Sequence, residues 1–185
     1  MGKILWVDLE TTGTDVIRDC LIEIGAVVTD DSAKLVQIGD PFSVVIETHP
    51  EDWLDVVPVV VNMHTANGLM GESIVGPNTG LNDAIDEFED WVDSFAWGGS
   101  LVYAIGGSGV AHFDREWLAH HTQLDMRYWS YDIGPVRRFA RLAGIRNLSK
   151  WGYEPPASPK AHRALDDIQD HISEARALMA MMADR

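Results

Sequence analysis

Carboxylates that could act together are spread along most of the chain: Asp8 and Glu10, then Asp114, then Asp166 or Asp167. Asp8 and Glu10 end the apolar run Ile4-Leu5-Trp6-Val7-Asp8-Leu9-Glu10, so strand alternation puts both on one face. A core strand carrying two acids needs donors, a cation or a metal ion beside it, because an unpartnered buried carboxylate is expensive. If the three segments pack together, their oxygens form a hard donor set suited to magnesium or manganese rather than softer metals. Each acid also has an ordinary reading. Strand-end acids can face water on an open sheet, Asp114 can cap a helix, and Asp166 and Asp167 can be surface acids in a first helical turn.

The elements that must position these residues follow from hydrophobic patterning. Apolar, β-branched runs predict strands at 4–10, 21–29 and 42–47, joined by short connections and therefore antiparallel. A short helix is expected around 63–70. The clearest helix spans 79–97, where Leu81, Ala84, Ile85, Phe88, Trp91, Val92 and Phe95 keep helical spacing and six acids decorate the opposite, solvated side. A short strand at 101–105 ends in Gly106-Gly107-Ser108-Gly109, which lacks the lysine-threonine ending of a phosphate loop and reads as a turn. It delivers a helix over 111–124 that contains Asp114. An extended segment at 128–133, a helix from Gly134-Pro135 through Ala143 closed by Gly144, and a final helix over 161–182 complete an α/β pattern expected to be one domain, residues 1–185.

At 185 residues with a net charge of −15, the chain is a poor general binder of long polyanions. The charge is uneven. Residues 127–163 hold eight of the fourteen basic side chains against Asp132 and Glu154, a local charge of +6 interleaved with Trp129, Tyr131, Trp151 and Tyr153. That combination suits phosphates and stacked bases of a short single strand, with Phe139 read as core. The single cysteine, Cys20, excludes an internal disulfide; with no signal-peptide pattern and no apolar run near the roughly 18 residues of a membrane span, a soluble, cytoplasmic protein is expected.

Three segments together resemble the DEDD-type 3′–5′ exonucleases with a histidine in the last motif, and within them the oligoribonucleases. They are Trp6-Val7-Asp8-Leu9-Glu10-Thr11-Thr12-Gly13, His112-Phe113-Asp114-Arg115-Glu116-Trp117-Leu118, and His162-Arg163-Ala164-Leu165-Asp166-Asp167. The likeness extends to 21–30 and to Met63-His64-Thr65-Ala66-Asn67-Gly68-Leu69. It implies an RNase H-like three-layer fold, with a mixed sheet of about five strands flanked by helices and the first three strands antiparallel. It also selects Asp167 over Asp166, because the motif places aspartate five positions after histidine.

The resemblance implies that Asp8, Glu10, Asp114 and Asp167 hold two Mg2+ or Mn2+ ions about 3.5–4 Å apart across a scissile phosphate. His162 is the implied general base, its ordinary pKa being near neutrality. His49, His120, His121 and His171 lack motif context and are expected to be surface or capping residues. Leu9, Thr11, Thr14, His64, Ser108, Tyr128 and Trp129 are the implied substrate-binding positions, on short single-stranded RNA, in a homodimer. The family pattern changes at several of these places: Val110 replaces a serine, Trp129 and Gly134 replace an arginine and a serine, and Thr14 replaces an apolar wedge. These changes keep open a broader exonuclease on single-stranded DNA or RNA. A noncatalytic oligonucleotide-binding protein is the remaining alternative, and it would have no need of Glu10 or His162.

Overall fold

The computed structural model describes residues 2–95, 104–125, 129–155 and 162–184. Strands β1 (Lys3–Thr11), β2 (Leu21–Asp30) and β3 (Phe42–Val45) form an antiparallel meander. The strands β4 (Ala104–Gly107) and β5 (Trp129–Asp132) add in parallel on the other side, giving a five-stranded sheet of order β3-β2-β1-β4-β5. This is the expected mixed α/β sheet with its first three strands antiparallel.

β1 lies in the middle and is buried on both faces. Leu5, Val7 and Leu9 point into a core shared with α3 (Leu81–Asp93) and α4 (Asp114–His121), through Phe88, Val92, Trp117 and Leu118. Ile4 and Trp6 point the other way, into a core shared with α5 (Ile133–Leu142) and α6 (Ala164–Ala183). The Trp6 indole N–H, which cannot be left unpaired in such a place, donates to Thr29 Oγ1 at 2.9 Å. A third small core of Ile22, Trp53 and Leu69 seats α1 (Pro58–Ala66) and α2 (Leu69–Val75) against the near end of the sheet.

Several expected elements are redrawn. The one helix expected around 63–70 is two, broken where Gly68 takes a φ of 83°. Pro58 starts α1 at its first position, where a missing N–H costs nothing. Gly106 and Gly107 are strand rather than turn: a Cβ at Gly106 would lie 2.8 Å from the Trp6 ring, and one at Gly107 would lie 3.0 Å from the Val7 carbonyl oxygen. The absence of side chains is what lets β4 lie against β1. Phe139, expected in the core, is 72% exposed, because α5 buries Ile133 and Ala140 and turns Phe139 and Leu142 outward. Among the described residues no helix is long and apolar enough to cross a membrane.

Candidate active site

Asp8 and Glu10 share the β1 face that carries Ile4 and Trp6, and α6 covers that face. The contact is close because β2 offers Gly25 directly opposite Asp8. A Cβ there would sit 2.6 Å from the Ala164 Cβ, so only glycine lets the first turn of α6 rest on the sheet. One turn into the helix, Asp167 is 7% exposed, whereas Asp166 faces solvent. Donor atoms of Glu10, Asp167 and His162 all lie within 4.8 Å of one another. A further turn along, His171 is 2% exposed and its Nδ1 is 3.9 Å from Asp8 Oδ1. The expectation of a surface or capping role for His171 is therefore corrected: four residues after Asp167, it falls on the same buried helix face. His49 is exposed and stands just before the 3₁₀ turn Pro50–Trp53, where its backbone N–H donates to Asp52 Oδ2 at 2.7 Å.

Asp114 arrives from the other side of β1. β4 pairs with β1 only along Ile4 to Trp6, so the Leu9 N–H beyond that point has no strand partner on that side. Asp114 Oδ1, on the first residue of α4, accepts it at 3.0 Å. The carboxyl is 5% exposed. Burial pushes its pKa up to about 7, against the opposing hydrogen bonds from Leu9 and its own backbone and with a further push from the charge of Asp132. Asp132 in turn fastens the turn that delivers Asp114. It accepts from the Gly109 N–H at 3.0 Å and the Ala111 N–H at 3.4 Å, and it caps α5 through the Gly134 N–H at 2.9 Å.

His162 lies two residues before α6, in the left-handed region with φ 48°. Its carbonyl accepts from Asn67 Nδ2 at 2.5 Å. Arg163 forks onto Glu23 at 3.0 and 3.1 Å and reaches Glu72 on α2 at 2.9 Å, while the Ala164 N–H donates to Glu23 Oε2 at 3.0 Å. Glu23 stands opposite Glu10 in the β1–β2 pairing, where two like charges would repel. The guanidinium compensates one of them.

The exonuclease family model RNase_T matches residues 5–174. The chain belongs to this exonuclease family. An oligoribonuclease of Streptomyces griseus is 34% identical over 178 residues, 94% of this chain and 83% of the relative. The oligoribonuclease of Mycobacterium leprae is 32% identical, over 94% and 78% of the two chains. Among solved structures, the zinc-bound complex of Escherichia coli exonuclease I with single-stranded DNA superposes with a TM-score of 0.70 at 16% identity, covering 99% of this chain. Exonuclease I of Methylocaldum szegediense gives 0.67 at 20% identity over 96%. Both likenesses concern the fold, and this chain spans about two fifths of those solved chains, 41% and 40%.

The positions expected to bind substrate are dispersed in this exonuclease. The Leu9 side chain belongs to the α3–α4 core, and its backbone N–H serves Asp114. Thr11 is buried, with its hydroxyl on the Gly13 carbonyl at 2.5 Å, and Thr14 is exposed just beyond. His64 is fully buried beneath the strand end, its Nε2 3.1 Å from the Thr11 carbonyl oxygen and 3.8 Å from Glu10 Oε2. Burial lowers its pKa, and because a carbonyl oxygen can only accept, the contact places a proton on Nε2. Ser108 is half-buried and accepts from Arg137 at 3.2 Å. Tyr128 and the Trp129 side chain lie outside the described residues.

The basic stretch is less available than its composition suggests. Arg137 is engaged by Glu174, Arg163 by Glu23 and Glu72, and Lys150 by Asp184, which leaves Arg138, Arg141 and Arg146 exposed without an ion pair among the described residues. Trp151 and Tyr153 pack against the α6 core, and Tyr131 is half exposed. Sequence reasoning passed over Glu23, Asn67, Asp132 and His171. Two of these carried a local signal: Asp132 precedes Gly134-Pro135 as an N-cap residue, and His171 follows Asp167 by one turn. Glu23 and Asn67 act on residues 140 and 95 positions away, with no local signal.

Proposed function

We propose that this exonuclease removes nucleoside 5′-monophosphates one at a time from the 3′ end of short single-stranded oligoribonucleotides, with Mg2+ or Mn2+ held by Asp8, Glu10, Asp114 and Asp167. The observation that carries the reading is the convergence of Glu10, Asp167 and His162 within 4.8 Å at the end of β1. The donor set fits a hard divalent cation: it is rich in carboxylate oxygen, and Asp114 is a buried acid whose high pKa signals missing positive charge. A divalent cation bound there supplies charge against the scissile phosphate and lowers the pKa of the attacking water.

In this reading His162 takes the water's proton on a ring nitrogen, and Glu10 and Asp167 lie close enough to stabilise the imidazolium that forms. The Leu9 amide orients the Asp114 carboxyl and opposes the upward push of burial, and His64 holds the Thr11 carbonyl and with it the path of the strand end. Arg138, Arg141 and Arg146 supply phosphate contacts from the basic side. Assembly as a homodimer belongs to the same proposal, as the motif resemblance to the oligoribonucleases implies.

A second reading, a broader exonuclease on single-stranded DNA or RNA, is favoured by Thr14, which is exposed and polar where the family carries an apolar wedge. The neighbouring exonuclease I structures bound to single-stranded DNA support it as well. A panel of end-labelled RNA and DNA from dinucleotide to about twenty nucleotides, with magnesium or manganese, separates the two. Stepwise loss from the 3′ end, fastest on the shortest RNA, is the expected result. Degradation of twenty-mers with dinucleotides left untouched would overturn the short-RNA reading in favour of the second, and inactivity on every length with either metal would overturn both.

A further inference from the structure

The carboxylates of the site stand on regular elements, Asp8 and Glu10 on β1, Asp114 on α4 and Asp167 on α6, whose backbone ladders hold them in place. His162 has no such support. It precedes α6, it takes a left-handed φ of 48° that a side-chain-bearing residue seldom adopts, and its ring must still reach Glu10 and Asp167. A residue in a sparsely populated conformation stays there only when its surroundings over-determine it.

The surroundings come from the corner between α1 and α2. Asn67, the C-cap residue of α1, uses both ends of its amide. Oδ1 accepts the Leu69 N–H at 3.0 Å, which caps α2, and Nδ2 donates to the His162 carbonyl at 2.5 Å. The orientation of the amide is decided by chemistry, because exchanging nitrogen and oxygen would set a donor against an N–H and an acceptor against a C=O. From the same corner, Glu72 holds Arg163, and the β2 carboxylate of Glu23 takes both Arg163 and the Ala164 N–H. Residues 162, 163 and 164 are thus each fastened, and the fastener specific to His162 is Asn67. Since Gly68 takes the left-handed turn that begins α2, the corner presents Asn67 at a fixed angle.

Resting on the proposal that His162 is the general base, we propose that Asn67 is a positioning residue for catalysis: its amide sets the His162 backbone so that the ring stands at the carboxylate cluster. Removal of the amide donor leaves the metal-ligating acids and the basic surface untouched, so the loss falls on kcat and spares KM.

The decisive variant is Asn67→Asp, which keeps an acceptor for the Leu69 N–H but has no N–H for the His162 carbonyl; Asn67→Ala removes both. Each is made in the wild-type and His162→Ala backgrounds, with kcat and KM measured on a short RNA in magnesium and thermal midpoints recorded. The expected result is a kcat lowered about tenfold or more by Asn67→Asp, KM within about twofold, a near-unchanged midpoint, and no further loss when either Asn67 substitution is added to His162→Ala. An Asn67→Asp enzyme as fast as the wild type, or one whose loss is repeated in full in the His162→Ala background, overturns the positioning role while leaving the exonuclease assignment intact. A His162→Ala enzyme as fast as the wild type overturns the general-base reading itself.

Discussion

Glu23 and Asp114 are both buried beside the same strand, 2% and 5% exposed, and the chain answers their charges in opposite ways. Glu23 receives a guanidinium from Arg163 and a backbone N–H from Ala164. Asp114 receives the Leu9 N–H and no basic side chain among the described residues, and its pKa rises to about 7. Where the carboxylate is matched by a cation of the chain, it joins two elements. Where it is left unmatched within the chain, the same group is open to a cation from solution, the role proposed for Asp114. The contrast separates what holds the exonuclease together from what it does.

The largest effect that can break this contrast is expected from Asp114→Asn, which keeps an acceptor for the Leu9 N–H but loses the charge. Turnover on a short oligoribonucleotide should fall on the order of a thousandfold while the far-UV circular dichroism stays native. Loss of the folded signal would place Asp114 with Glu23 as a structural acid. Next in size, Glu23→Gln leaves Arg163 with Glu72 as its one carboxylate partner among the described residues and loosens the start of α6. Unfolding in denaturant should show a loss of about 3 kcal/mol, and a loss under about 0.5 kcal/mol would mean that the pair is not holding the helix.

The smallest effect is a linkage. The folded-state pKa of Asp114 lies near 7, above its ordinary 3.8, so its contribution to stability is fully present below about pH 4 and is lost as pH rises through 7. In chelator the thermal midpoint should fall across that window, and Asp114→Asn should flatten the slope. Magnesium, which favours the ionised form, should raise the midpoint more at pH 8 than at pH 5. A magnesium effect that is equal at both values would place the cation away from Asp114.

Much of this molecule was legible in its sequence, and for local reasons. The period of two along β1 sets Asp8 and Glu10 on one face, and the period of 3.6 along α3 divides its acids from Phe88 and Val92. The resemblance of three short motifs to an exonuclease family chose Asp167, and the fold brings that residue, rather than Asp166, beside Glu10. Phe139 shows where this kind of reading stops. An apolar residue on a helix has a definite face, but what covers that face is not written nearby, and here nothing among the described residues does so.

The sequence by itself determined most of the element order and the sheet's antiparallel beginning, because these follow from periodicity, while the choice of acids came from the resemblance of three motifs to a family. Tertiary structure alone decided which charges are matched within the chain, and so which basic residues of the 127–163 stretch remain for phosphate. It also decided that His171 belongs beneath the site next to Asp8, and that Asn67 grips His162. The contacts of His162, Arg163 and His171 join residues about a hundred or more positions apart, where loop closure leaves no local trace, and they exist only once α6 has settled on Gly25.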